Sequence, residues 1–283
     1  MTPVSSSAHR AAVLGSPVTH SLSPALHAAG FAAAGLTGWD YRRIECDAAR
    51  LPGLVRASGP EWAGFSVTMP GKAAAAAVAD IRSSRVDRLG VANTLHRGPS
   101  GSWYAENTDV DGVVGALRAA GVAPRRALLL GGGGTAMSVV AGLAELGAES
   151  VTLAGRRPAS TAAAAALATA VGLQVQVCDL GVAAVAAVAA EVDLVVSTVP
   201  AGAADHLALA LARVPVLFDV VYAPWPTAPA AASATGRVVV TGLDMLLHQA
   251  FRQFELFTGL AAPRAAMRAG LLAASGATLP LPV

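Results

Sequence analysis

Charge is scarce in this sequence. Only 13% of the 283 residues are Asp, Glu, Lys or Arg, and the formal net charge is +2. No run of Lys or Arg concentrates that surplus, so the dense positive patch that nucleic acid or an anionic membrane surface requires is missing. Cysteine is nearly as rare. Cys46 and Cys178 stand far apart, form no C-x-x-C pair and match no metal-ligand spacing. They read as two buried, reduced thiols, which excludes a disulfide framework, predicts no metal site and suits the cytoplasm. The polar stretch Met1–His9 has no apolar core of a secretory leader. The charge-free stretch Pro158–Cys178 is broken by Pro158, Gly172, Gln174 and Gln176. It reads as a helix followed by a strand, not as a membrane span. Lysine is the sharpest absence: Lys72 is the single lysine of the chain.

What is there is apolar and small. Hydrophobic residues make up 54% of the chain, and alanine dominates them. Alanine enters helices at little entropic cost, so many closely packed small-residue helices are expected. The length suits two domains of ordinary size.

Apolar runs and turn residues alternate along the first 108 positions. Ala11–Gly15 reads as a strand feeding a Gly-Ser-Pro loop, and Ser23-Pro24 as a helix cap with proline in the first turn. Ala25–Gly35 is then helical, Trp39–Glu45 and Gly64–Val67 are strands, and Lys72–Asp80 is a helix. Val91–His96 and Trp103–Ala105 read as a hairpin around Pro99-Ser100-Gly101. The middle of the chain repeats strand, helix, strand more regularly, with strands at Ala127–Leu130, Val151–Ala154, Gln174–Val177, Leu194–Ser197, Val216–Val220 and Val238–Val240. That rhythm predicts an α/β fold with a parallel, doubly wound sheet. Two helices, Leu243–Thr258 and Pro263–Ala274, follow, and Leu279–Val283 is expected to be a frayed end.

Within the repeat, Gly131-Gly132-Gly133-Gly134-Thr135-Ala136 follows a strand and opens a helix. The spacing satisfies G-x-G-x-x-[GA]. Gly131 allows a tight turn, Gly133 lets the backbone approach a pyrophosphate, and Ala136 lets the helix lie close to the sheet. The helix N-terminus then offers unpaired N–H groups to phosphate. The next strand ends in Ala154-Gly155-Arg156-Arg157, where an NAD enzyme usually places a carboxylate for the ribose hydroxyl. Two guanidinium groups instead suit a 2′-phosphate, so NADP(H) is the expected cofactor.

Four polar clusters fall in the loops of the first third. Ser21 and Ser23 place two hydroxyls before a helix, a geometry for a carboxylate or simply a cap. Thr68 and Lys72 follow a strand end, and lysine, unlike arginine, can surrender its proton. Asn93 and Asp109 supply an amide and a carboxylate, although Asp109 also stands where a helix cap would.

Together these clusters resemble one family. Val13–Pro24, Val67–Lys72, Val91–Thr94, Asn107–Asp109, the glycine loop, Asp219–Pro224 and Gly242–Gln249 are similar, in order, to the motifs of shikimate dehydrogenases. The resemblance runs from about residue 10 to 258. It implies a shikimate-binding domain over residues 1–108, a Rossmann NADP-binding domain over 109–242, and C-terminal helices over 243–283 that return to the substrate domain. By motif, Ser21 and Ser23 would hold the substrate carboxylate. Thr68, Asn93, Tyr222 and Gln249 would bind ring hydroxyls or carboxylate, and Lys72 with Asp109 would form the catalytic pair. Gly131, Gly132, Gly133, Gly134, Thr135, Arg156 and Arg157 would hold NADP(H), with Val220 and Gly242 near the nicotinamide. The implied activity is reversible reduction of 3-dehydroshikimate to shikimate in chorismate and aromatic amino acid biosynthesis, by a cytoplasmic monomer or homodimer.

Departures from the family pattern are few. Ser66 stands where the family often has Asn, Gly155-Arg156-Arg157 replaces Asn-Arg-Thr, and Gly132 replaces a common Ala, a change expected to matter little. Alternatives are a quinate or aminoshikimate dehydrogenase and a non-catalytic NADP or shikimate sensor, against which intact Lys72 and Asp109 argue. A folate-type methylene dehydrogenase is disfavoured by the Ser-x-Ser and Asn-Thr-Asp motifs.

Overall fold

A computed structural model describes residues 9–232 and 234–283. Residues 1–8, most of the stretch read for a leader, lie outside the described residues. The chain divides into two compact units. Residues 9–108 with Gln249–Leu281 form the first, and Asp109–His248 the second.

The first unit begins β1 (His9–Gly15), α1 (Ser23–Ala33), β2 (Trp39–Glu45), α2 (Leu51–Ala57) and β3 (Trp62–Val67). It continues α3 (Lys72–Val78), β4 (Ile81–Arg82), α4 (Ser84–Leu89), β5 (Thr94–Arg97) and β6 (Trp103–Glu106). The sheet order is β2-β1-β3-β5-β6-β4. β1 runs parallel to β2 and β3, whereas β3, β5 and β6 pair antiparallel through the expected hairpin. The short elements β4 and α4 are not foreshadowed by the periodicity. Their signal lies in the punctuation: Ser83 caps α4 by accepting from Val86 N at 3.2 Å, and Gly90 closes it with φ 70°.

One apolar core holds this sheet to its helices, with Leu14, Leu51, Val55, Phe65, Val67, Val86, Leu95 and Trp103 all buried. On the α1 side the packing depends on small residues. A Cβ on Gly270 would lie 2.6 Å from Ala29 Cβ, and one on Gly30 would lie 3.0 Å from both Met267 and Phe254. At Gly270 even the methyl of alanine would collide, so helix surfaces this close need glycine at the contact.

The second unit carries α5 (Asp109–Ala119), β7 (Arg126–Leu130), α6 (Gly134–Glu145), β8 (Ser150–Gly155), α7 (Ala162–Ala170), β9 (Gln174–Asp179) and α8 (Val182–Ala189). β10 (Leu194–Ser197), α9 (Ala208–Leu211), β11 (Val216–Asp219), α10 (Ala228–Ala231) and β12 (Val238–Thr241) complete its sheet. The order β12-β11-β10-β7-β8-β9 is parallel throughout. The first strand in sequence sits centrally, and the order reverses between β7 and β10. This is the doubly wound Rossmann arrangement, whose ligands bind beyond the carboxyl ends at that switch point. β9 has a neighbour on one side only, and Cys178 on it is partly buried, whereas Cys46 is buried as expected of both.

Helix α11 (Gly242–Thr258) contributes its first residues to the second unit and those from Gln249 onward to the first, which α12 (Arg264–Ser275) completes. Its start is fixed by a reciprocal cap. Asp244 Oδ2 accepts from Thr241 N at 2.8 Å, and Thr241 Oγ1 accepts from Asp244 N at 3.4 Å. The end of the chain corrects the sequence reading. Leu281 is fully buried, and the Arg268 guanidinium donates to the carbonyls of Pro280 and Leu281. An apolar anchor and charge-assisted bonds outweigh the entropy of a free tail. Among the described residues no helix is long and apolar enough to cross a membrane, and no group of His, Cys, Asp and Glu is arranged to hold a metal ion.

Candidate active site

In the first unit, the loop between β1 and α1 is tied down by carboxylate and guanidinium. Ser16 Oγ donates to Glu45 Oε1 at 2.6 Å and Val18 N to Glu45 Oε2 at 3.2 Å. Arg43 donates through Nε and Nη2 to the carbonyl of Ser21, at 2.9 and 2.6 Å. The hydroxyls divide differently from the sequence reading. α1 begins at Ser23 itself, and Leu22 provides no side-chain cap. It is Ser21 Oγ that accepts from Ser23 N, at 3.3 Å, while the buried Ser23 side chain bonds to Tyr41. Ser23 is therefore held by a side chain of β2 and Ser21 by its own loop.

Thr68 and Lys72 sit at the end of β3. Thr68 N donates to Leu14 O at 2.8 Å, and β1 and β3 approach so closely that a Cβ on Gly15 would collide with the Thr68 methyl. Lys72 opens α3, and its carbonyl accepts from Ala92 N at 2.9 Å. That bond sets Lys72 beside the segment carrying Asn93.

Asn93 stands in a buried polar cluster with Thr94, Thr108, Gln249 and Gln253. Its Oδ1 accepts from Thr108 N at 2.7 Å and Thr94 Oγ1 at 2.9 Å. Its Nδ2 donates to Thr108 Oγ1 at 3.0 Å and Gln249 Oε1 at 3.3 Å. Gln253, one turn beyond Gln249 on α11, donates through Nε2 to Thr94 Oγ1 at 2.9 Å and accepts at Oε1 from Ser66 at 2.7 Å. Ser66 in turn accepts from Tyr41 OH at 2.6 Å. The polar position where the family often has Asn is thus served by a tyrosine and a glutamine from elsewhere in the unit. Sequence reasoning missed Tyr41, Thr94 and Gln253; the i,i+4 spacing of Gln249 and Gln253 was the available signal.

His27 lies beneath this cluster, also unforeseen. It is fully buried, and its ring stacks on Tyr41 with centroids 4.2 Å apart. Nδ1 lies 3.0 Å from the carbonyl of Ser23, to which it donates. Burial pushes its pKa down from 6.5 to about 4. The same desolvation pushes Tyr41 well above its ordinary value, so it remains a neutral donor.

In the second unit, the glycine loop joins β7 to α6. Gly131 has φ 104°, a left-handed value that suits glycine, and it donates from N to Ala154 O at 2.9 Å. A Cβ on Gly133 would meet no protein atom, which leaves its backbone open to a ligand. Gly132 is the correction. A Cβ there would collide with the backbone carbonyl of Ser160, so the common Ala does not fit this chain and the difference is not silent. Gly134 and Thr135 form the first turn of α6, and Ala136 is fully buried against the sheet as expected.

Arg156 and Arg157 follow the end of β8, the neighbour of β7, and both are exposed. The segment 154–157 holds no carboxylate. Val220 follows β11, and Gly242 opens α11 just past β12. A Cβ on Gly242 would collide with Val220 O and lie 3.0 Å from Tyr222 Cδ1, so these three residues are clustered. Asp219 anchors that loop. It accepts from Thr227 Oγ1 at 2.7 Å and Val221 N at 3.1 Å, and burial raises its pKa. All cofactor candidates therefore gather at the carboxyl edge of one parallel sheet. Asp109 is buried in the first turn of α5 and belongs to the second unit, whereas Lys72 belongs to the first.

Known proteins share this architecture. The family model for the shikimate dehydrogenase substrate binding domain matches residues 13–95, and that for the shikimate 5′-dehydrogenase C-terminal domain matches residues 242–272. A shikimate dehydrogenase (NADP(+)) of Methylobacterium radiotolerans is 40% identical over 265 residues, covering 88% of this chain and 91% of that protein. The crystal structure of shikimate dehydrogenase from Mycobacterium tuberculosis superposes with a TM-score of 0.89 at 51% identity, covering 94% of this chain and 99% of that one. The enzyme of Thermus thermophilus in complex with NADP(H) and shikimate gives 0.81 at 33% identity, covering 94% and 99%. Identity at these levels, sustained over nearly the whole chain and on the same pair of α/β units, means that the chain belongs to the shikimate dehydrogenase family.

Proposed function

We propose that this chain catalyses the reversible NADPH-dependent reduction of 3-dehydroshikimate to shikimate, in the route to chorismate and the aromatic amino acids. The observation that carries the reading is Lys72. The chain's single lysine opens a helix at a strand end, tied through its carbonyl to the segment bearing the buried amide of Asn93.

The residues present fit the cofactor. Gly131–Thr135 take the pyrophosphate at the N-terminus of α6, where Gly133 leaves the backbone accessible. Arg156 and Arg157 take the 2′-phosphate, which an adjacent carboxylate would repel. Val220 and Gly242, clustered at the sheet's carboxyl edge, would lie near the nicotinamide. NADPH, when bound, supplies the hydride.

The protein supplies the proton and the alignment. Lys72, protonated, stabilises negative charge developing on the carbonyl oxygen and donates to it; in the reverse direction it accepts the hydroxyl proton. Asp109 accepts from the same hydroxyl. Ser21 and Ser23 hold the carboxylate, while Thr68, Asn93, Tyr222 and Gln249 hold the ring hydroxyls or carboxylate. Residues 1–108 serve as the substrate domain and 109–242 as the cofactor domain; of the C-terminal helices over 243–283, the part from Gln249 onward completes the former. The enzyme works in the cytoplasm as a monomer or homodimer.

Steady-state assays with shikimate and quinate, each with NADP+ and NAD+, test the reading. Shikimate with NADP+ should give the highest kcat/KM. A preference for quinate or for NAD+ overturns the assignment.

A further inference from the structure

Gln253 is almost fully buried at 1% exposure, and its amide is polarised from both ends. Its Nε2 lies 3.3 Å from the backbone carbonyl of Asn93. A backbone carbonyl can only accept, so the NH2 end must face it and Oε1 must face Ser66. Ser66 therefore gives its proton to Gln253 and accepts from Tyr41. On the other side Gln253 donates to Thr94 Oγ1, so the Thr94 hydroxyl turns its own proton to Asn93 Oδ1. Thr108 N holds the same oxygen. The Asn93 NH2 is thereby directed to Thr108 Oγ1 and Gln249 Oε1. Gln249 Oε1 is thereby engaged in the cluster. The Asn93 carbonyl thus fixes the sense of the bonds from Gln253 through Ser66 to Tyr41, and the Thr108 N–H, which can only donate, fixes the Asn93 amide that meets Gln249.

We propose that Gln253, paired with Ser66, is a positioning residue that sets the orientation of Asn93 and Gln249 and so sharpens selection for the substrate's ring hydroxyls. The proposal rests on the assignment of Asn93 and Gln249 to substrate binding made above. The pair is matched in size. Ser66 Oγ and Gln253 Oε1 are 2.7 Å apart, so a longer carboxamide at position 66 would enter the space of the Gln253 amide. One carboxamide fits there, from β3 or from α11, but not two.

The test compares Gln253→Met, Ser66→Ala, Ser66→Asn and the double variant Ser66→Asn/Gln253→Ala with the unmodified enzyme. Steady-state constants are measured for shikimate, for its analogue lacking one ring hydroxyl, and for NADP+. Gln253→Met keeps the length of the side chain and removes its polarity. It should raise the shikimate KM about tenfold while the NADP+ KM stays within about twofold. The kcat/KM preference for shikimate over the deoxy analogue should fall by a similar factor, because a loosely held amide penalises a missing hydroxyl less. Ser66→Asn alone should impair the enzyme, and the double variant should recover most of the shikimate KM. Ser66→Ala removes a single hydroxyl, so it reports on the cluster even if Gln253→Met fails to fold; a milder shift in the same direction is expected.

Unchanged discrimination in Gln253→Met and Ser66→Ala, equal shifts in both substrates' KM, or a harmless Ser66→Asn would each overturn the positioning role. No shikimate oxidation by the unmodified enzyme would instead overturn the proposed function, so the two failures are distinguishable.

Discussion

Lowering the pH should weaken the first unit through His27. The ring is fully buried against Tyr41, with Phe31 and Phe257 at 6.1 and 5.9 Å, and its pKa falls from 6.5 to about 4. The folded protein therefore keeps His27 neutral down to about pH 4, while the unfolded chain takes up a proton below about 6.5. Between those values the unfolded state binds more protons, so stability falls with falling pH. The contribution is fully present above pH 6.5 and lost progressively towards pH 4. At about 1.4 kcal/mol per unit, the loss reaches about 2 kcal/mol at pH 5 and about 3 kcal/mol at pH 4. The assay is urea unfolding at pH 7 and pH 5, comparing the enzyme with His27→Phe. Tryptophan emission suits it, because Trp39, Trp62 and Trp103 all belong to the first unit. Phenylalanine loses the bond to the Ser23 carbonyl, costing about 1 kcal/mol at both pH values. That cost cancels in the difference between them. The parent should lose about 2 kcal/mol more than the variant between pH 7 and pH 5. Equal losses would refute the reasoning, because the acid sensitivity would then arise elsewhere.

Other perturbations separate the assigned roles. Lys72→Ala should lower kcat by roughly 10²- to 10⁴-fold with a smaller change in shikimate KM, and near-parent turnover would remove Lys72 from proton transfer. Arg156→Ala should weaken NADP+ binding about tenfold or more and leave NAD+ binding unchanged; equal effects on both would break the phosphate assignment. In Gly132→Ala the added methyl meets the Ser160 carbonyl, so NADPH binding, followed by its fluorescence, should weaken about tenfold while shikimate KM holds. An unchanged dissociation constant would show that the loop relaxes freely. Leu281→Ala should cost about 2–3 kcal/mol in urea unfolding, whereas a loose tail would cost less than about 0.5 kcal/mol.

Much of the fold was legible because the signals were local and redundant. The glycine loop announced its own strand and helix, since each part is needed for a phosphate to approach. The strand rhythm gave the doubly wound sheet, and the missing carboxylate beside Arg156 gave the cofactor preference. What stayed hidden depends on side chains meeting from distant segments. Gln253 reads as one more polar residue on a helix until Ser66 and Thr94 are brought to it. Gly132 reads as a spare glycine until Ser160 arrives against it. The tail reads as loose because nothing in Leu279–Val283 reveals Arg268. Short elements fared worst for a related reason: α4 has too few residues to show a period, and only its serine and glycine ends mark it.

The division of α11 has a consequence for how the molecule comes into being. The second unit is one unbroken stretch, 109–248, and can close as soon as that stretch has left the ribosome. The first unit cannot, for all its early residues. The small-residue surface of α1 around Gly30 waits for Met267 and Gly270, which are made more than two hundred positions later. Until then β1–β6 and α1 have an uncovered apolar side. The expectation is that the later-made unit matures first, and that released chains truncated near residue 250 hold a folded nucleotide-binding unit beside a protease-sensitive one.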